Sequence, residues 1–333
     1  MQRRRFGRTG LEVPALTYGG GWVGGYIIRS SEAERDALLD RALAAGIDWI
    51  DTAAAYGNGA SETVIGQWLA KRAKAERPRL STKFNVDSSA PDFADQIERS
   101  LADSLGRLGL DRVNVLILHN RIVDEGNPDR NNRSLTPAQV LGLGGVADIM
   151  DELRAKGLFG WIGLTGLGDP RALHQVIDSG RFDVVQIYYN MLNPTAAQGA
   201  GPGWNSTDFD GLLNRCAAQD MGVMNIRIFA AGHLATTERH GREVPITANT
   251  ESAAEEVRAK AVLDALASQQ LGTPAQIALR FGLACPLLST IVVGIGESWH
   301  LDQALAAAEM GPLPQPALRQ LEQVWRSHPA FRG

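Results

Sequence analysis

Short runs rich in apolar and β-branched residues alternate with longer stretches whose apolar positions recur every three to four residues, through nearly the whole chain. The short runs predict strands over 15–19, 48–52, 79–83, 113–119, 161–165, 184–188, 222–228 and 290–294. Ahead of them, residues 4–6 and a Gly7–Gly10 turn predict an opening hairpin. The periodic stretches predict helices over 31–45, 62–73, 92–108, 137–156, 170–179 and 209–218. Punctuation agrees. Ser30 and Ser31 precede acidic residues as an N-cap would, and Gly46 stands at a C-cap position. Pro137 and Pro170 fall in first turns, where a missing N–H costs little. Leu38, Leu39 and Ala42, with Ile47, form the stripe that faces the sheet.

Eight strands, each followed by a helix, imply parallel pairing with right-handed crossovers. A closed barrel and an open doubly wound sheet both satisfy that pattern. The strand count favours the (β/α)8 barrel, and Gly19-Gly20-Gly21 runs on into Trp22 without a G-x-G-x-x-G fingerprint. No composition shift or low-complexity linker divides residues 1–333, so one domain is expected. Residues 120–136, 190–208 and 229–252 are too long for minimal connections, and all three follow strand C-terminal ends. In a barrel of this kind, that face carries the active site.

Composition narrows the field. The chain has 333 residues, 44% of them hydrophobic and 21% charged, enough to bury a substantial core. A net charge of −4 disfavours nucleic acid as a partner, and no apolar run is long enough to span a membrane. The basic run Arg3-Arg4-Arg5 lacks the apolar stretch of a secretory signal. With only Cys216 and Cys285, both in apolar stretches, buried free thiols in a reducing, cytoplasmic setting are expected, and no metal site.

The strand tips hold the chemistry. Asp51, Lys83 and His119 close the second, third and fourth predicted strands, and Tyr56 lies just beyond Asp51. Each alone has an ordinary reading: a turn cap, a solvated lysine, a structural histidine. Together, on neighbouring strands, they form a proton-transfer set. A phenol is a poor acid near neutral pH, and an adjacent ammonium favours its ionised form. Lys83 supplies the ammonium, Asp51 holds it, and His119 can polarise a carbonyl that Tyr56 protonates as a hydride arrives. The hydride must come from a nicotinamide, since no side chain donates one.

These residues carry a family resemblance. Trp49-Ile50-Asp51-Thr52-Ala53-Ala54-Ala55-Tyr56-Gly57, followed by Ser61-Glu62, resembles the aldo-keto reductase signature. Leu80-Ser81-Thr82-Lys83-Phe84 and the run from Asp111 to His119 resemble the family's lysine and histidine strands, and Phe6-Gly7-Arg8-Thr9-Gly10-Leu11 its barrel-plugging hairpin. The resemblance extends from Arg4 to about Ala307. It implies Tyr56 as general acid/base with Asp51, Lys83 and His119 as partners, and NAD or NADP lying extended across the C-terminal face.

The resemblance further assigns Thr165, Gln186 and Arg227 to the nicotinamide end. Gly166 replaces the usual asparagine, and Arg227 stands where many members stack a tyrosine. Val293-Gly294-Ile295-Gly296-Glu297-Ser298 resembles the phosphate loop, with Gly294, Gly296, Ser298 and His300 as cofactor contacts. Gly294 and His300 replace two common cations, so NAD is expected to serve at least as well as NADP. Trp22, Asn120, Tyr188, Trp204 and Phe229 are the candidate substrate-lining residues, a mixture suited to a sugar or other small polyol aldehyde as well as to an aromatic aldehyde. The branch most similar to this chain includes aldose 1-dehydrogenases. A regulatory subunit that retains the cofactor and turns over slowly is the alternative, and oligomeric state stays open.

Overall fold

The computed structural model describes residues 1–21, 23–90, 92–127, 130–238, 241 and 252–332. Its strands, in chain order, are β1 (Arg3–Arg5), β2 (Glu12–Pro14), β3 (Leu16–Gly19), β4 (Trp49–Asp51), β5 (Arg79–Phe84), β6 (Val113–Leu118), β7 (Arg121–Ile122), β8 (Ser134–Leu135), β9 (Phe159–Gly166), β10 (Val184–Tyr188), β11 (Gly222–Ile226) and β12 (Thr290–Gly294). Eight of them close into a parallel barrel in the order β3-β4-β5-β6-β9-β10-β11-β12, with β12 pairing back onto β3. These are the eight predicted strands, so the barrel expectation holds and the open sheet does not.

Alternation sets the two faces of each strand. Inside the barrel, Phe6, Val13, Trp49, Val115, Ile117, Val184 and Met224 form one apolar cluster. The opposite faces, with the surrounding helices, form the larger one. Gly163 belongs to the interior wall, where an added Cβ would lie 2.8 Å from an Ile117 side-chain carbon. The β1–β2 hairpin seals the bottom. Phe6 meets Trp49 edge-on, with ring centroids 5.3 Å apart. Gly7, at φ +52°, packs so tightly that a Cβ there would sit 2.2 Å from the Gly222 nitrogen.

Helix starts follow the expected chemistry. Ser31 and Glu34 form a capping box on the helix Glu32–Ala44, and Pro137 and Pro170 open their helices. The predicted helix over 137–156 is instead two, Pro137–Leu141 and Val146–Ala155. Gly142, Gly144 and Gly145 fall at the break, with Gly144 at φ +70°, and backbone conformations open to glycine override the apolar periodicity that bridges them. The long segment 120–136 is also less irregular than its composition suggests, because β7 and β8 pair in parallel within it. Cys216 and Cys285 are both free and buried. Among the described residues, no helix is long and apolar enough to cross a membrane.

Candidate active site

Parallel neighbours bring three strand ends to one place. The registers Gly19↔Asp51, Asp51↔Ser81, Lys83↔Ile117 and Phe84↔Leu118 set Asp51 and Lys83 inside the barrel with His119 one residue beyond β6. Lys83 is 1% exposed and Asp51 2%, so this ion pair lies out of water. The Lys83 ammonium donates to Asp51 Oδ2 at 2.6 Å, to the Thr52 carbonyl at 2.8 Å and to Tyr56 Oη at 3.1 Å. Its three protons thus match three oxygens. Burial alone would push Lys83 down, but Asp51 and Tyr56 outweigh it and hold the amine above its ordinary range.

The turn that carries Tyr56 is fixed from both sides. Ala54 N–H donates to the Lys83 carbonyl, and Ser61 N–H to the Tyr56 carbonyl. The Thr52 and Ser61 hydroxyls pair at 2.8 Å, and Ser61 reaches the Gly20 carbonyl. Tyr56 is therefore a half-exposed phenol above a buried ion pair. The His119 ring stands edge-on to it at 5.9 Å between centroids. Burial, and then the Lys83 charge, push His119 down to about 3, so its imidazole is neutral at working pH. A neutral imidazole beside the phenol can donate one N–H to a substrate oxygen.

Behind these groups lies a polar chain that sequence reading passed over. Asp51 Oδ1 accepts from Ser81 Oγ at 2.6 Å and from Gln186 Nε2 at 2.7 Å, and the Trp49 indole N–H donates to Ser81. Gln186 thus has one end committed to Asp51, beyond the cofactor contact expected of it. Next to it in register on β9, Thr165 keeps a buried hydroxyl with no partner. A buried orphan hydroxyl wants a ligand group, and a carboxamide fits that need. Arg227 stands one residue beyond β11. It adopts φ +59°, a left-handed conformation that costs a non-glycine residue energy and marks a constrained position. Burial pushes its guanidinium down, against the opposing influence of Tyr188 and Tyr56, which it faces.

In the loop after β12, His300 Nδ1 accepts the Gly296 and Glu297 N–H groups at 3.1 and 3.3 Å. Gly294 and Ser298 are exposed on the same loop. Gly24 presses against it so closely that a Cβ would lie 2.7 Å from the Ile295 nitrogen. Arg29, which sequence reading missed, donates to the Gly24 and Gly296 carbonyls. No motif marks it; only the fold carries the helix Tyr26–Arg29 to this loop.

The expected substrate-lining set divides. Trp22 lies outside the described residues. Tyr188 is buried and stacks on Phe209, with centroids 5.6 Å apart, and burial pushes its phenol up. Phe229 is half-buried just beyond Arg227. Two of these residues have other contacts. Asn120 is fully buried and its amide is spent on backbone: Val86 N–H donates to its oxygen, and its NH2 donates to the Val86 and Arg133 carbonyls. Asn120 therefore ties loops together. Trp204 packs on Phe331 near Arg332, and lines a cavity of about 240 Å³ with Trp325 and Arg326 that no member of the tetrad touches.

Comparison with known proteins gives the family. The aldo/keto reductase family profile matches residues 15–326. The chain belongs to the aldo/keto reductase family. Among its curated relatives, a D-threo-aldose 1-dehydrogenase from Pseudomonas sp is 29% identical, covering 92% of each chain. An L-galactose dehydrogenase from Arabidopsis thaliana is 25% identical over 97% of this chain and 94% of its own. A solved aldo-keto reductase from Bacillus halodurans, in its holo form, superposes with a TM-score of 0.72 at 18% identity, covering 97% of this chain and 96% of that one. Family membership makes this chain an oxidoreductase that uses a nicotinamide cofactor.

Proposed function

We propose that this oxidoreductase oxidises the anomeric carbon of a small aldose to a lactone, with Tyr56 as general acid/base and NAD as the favoured cofactor. The observation that carries the reading is the contact of Lys83 Nζ with Tyr56 Oη at 3.1 Å above buried Asp51. The two full-length relatives, named for aldose and galactose dehydrogenation, supply the substrate class.

In the oxidative direction, Tyr56 takes the proton of the anomeric hydroxyl. Lys83 stabilises the phenolate that performs this step, and Asp51 keeps Lys83 charged and aimed. Neutral His119 donates a hydrogen bond to the same oxygen, which becomes the lactone carbonyl. When bound, a nicotinamide would supply the hydride acceptor for the anomeric carbon. Thr165 and Gln186 would hold its carboxamide, and Arg227 would cover the ring. In the reverse direction Tyr56 returns the proton, so the same groups reduce a carbonyl. Tyr188 and Phe229 would border the sugar.

The NAD preference rests on the loop. The Gly296 and Glu297 amides donate to His300 Nδ1, and Glu297 adds to this loop a negative charge that would oppose a 2′-phosphate. Phosphate wants charged donors. Dissociation constants measured in parallel should therefore favour NAD over NADP, and His300→Arg should tighten NADP by about tenfold, the worth of one added charge-assisted hydrogen bond. A wild-type protein that strongly prefers NADP would overturn this part. The substrate part is tested by following reduced-nicotinamide absorbance over a panel of aldoses and aromatic aldehydes in both directions. Oxidation of aldoses supports the reading, whereas turnover confined to aromatic aldehydes rejects the sugar assignment.

A further inference from the structure

We propose that Ser81 and Gln186 are positioning residues for proton transfer: both donate to one oxygen of Asp51, fixing the carboxylate under Lys83, and Gln186 ties that carboxylate to the nicotinamide subsite. The inference rests on the reading of Tyr56 as acid/base.

The barrel interior makes the case. Trp49, Ser81, Asp51, Lys83 and Gln186 are each 2% exposed or less, in a volume otherwise walled by Val115, Ile117, Val184 and Met224. A serine hydroxyl and a glutamine amide placed there without partners would be costly. Each instead bonds the same Asp51 oxygen, while the other oxygen takes Lys83. Ser81 is in turn set by the Trp49 indole, whose ring rests on Phe6 of the hairpin. Strand parity excludes a general role for hydroxyls on β5. Thr82, one residue on, faces the other way and donates to Glu62.

The consequence is electrical as well as steric. Two donors spread the Asp51 charge, and removing one concentrates it near the Lys83–Tyr56 contact. A more negative field disfavours a phenolate. The groups that face Tyr56 are Lys83 with Asp51 behind it, His119 beyond β6, and Arg227 beyond β11, itself facing Tyr188. Of these groups only Asp51 bonds Ser81, so a response to a change there would travel through Asp51.

The test is the pH dependence of kcat/KM for oxidation at saturating NAD. Ser81→Ala should move the acid limb upward, by a fraction of the roughly one pH unit that a hydrogen bond to a charged group is worth at the bonded group itself, with the NAD dissociation constant unchanged. Ser81→Thr should restore the wild-type limb. Gln186→Met, which removes the other donor, should shift the limb in the same direction and also weaken NAD. Thr82→Val serves as the control for strand packing and should leave the limb in place. A limb that ignores both Ser81→Ala and Gln186→Met, or that moves equally in Thr82→Val, overturns the inference. If Tyr56→Phe keeps wild-type turnover, the functional reading itself fails; a Tyr56-dependent enzyme with an unmoved limb sinks only the positioning role.

Discussion

Replacing Tyr56 with Phe should lower turnover by about 10²–10⁴-fold, the range that a positioned acid/base contributes, while cofactor affinity stays at its wild-type value. The substitution removes one oxygen and little else. The ring keeps its edge-on contact with His119, and Lys83 keeps Asp51 and the Thr52 carbonyl. Steady-state rates on the preferred aldose, set beside a fluorescence titration with NAD, separate the two quantities. Loss of rate with intact binding assigns the hydroxyl to the chemical step. Equal turnover in the two proteins would mean that some other group moves the proton, and the Lys83–Tyr56 contact would lose its functional meaning.

The barrel and its four chemical residues were legible because both depend on short-range rules. An apolar strand run ends where its polar tip meets the mouth, so Asp51, Lys83 and His119 announce themselves by position, and parallel order makes them neighbours. What stayed hidden depends on contacts across the fold. Ser81 reads as an ordinary strand residue until Trp49 and Asp51 are seen on either side of it. Arg29 reads as a helix-end cation until the Gly24 and Gly296 carbonyls converge on it. The packing of Asn120 and Trp204 stayed hidden for a related reason. A long loop after a strand end has the composition of a binding surface, but it must also satisfy its own backbone, and Asn120 is consumed in doing so. Gln186 was placed correctly on its strand and given one partner, whereas the barrel interior gives its amide a second task.

Asp51→Asn should destabilise the protein by about 3–5 kcal/mol near neutral pH, because it strands a buried ammonium without its counter-ion. Lys83 is 1% exposed, so water cannot enter to replace the lost charge without opening the barrel. The shape of the site is kept, and the asparagine oxygen can still accept one hydrogen bond; what disappears is the charge. Urea unfolding of wild type, Asp51→Asn, Lys83→Met and the double variant forms a cycle that isolates the pair. The double variant should recover part of the loss, since an uncharged site no longer pits desolvation against attraction. The pH dependence follows from the direction of the Lys83 shift. Its folded-state pKa is raised, so the stabilisation is complete below the unfolded value of about 10.4 and is lost as pH rises through the folded value. The difference between wild type and Asp51→Asn should hence be flat across neutral pH and shrink only on the alkaline side. A difference below about 1 kcal/mol, the worth of an exposed pair, would show that Lys83 is hydrated in solution, and a hydrated lysine could not polarise Tyr56 in the way the proposed chemistry requires.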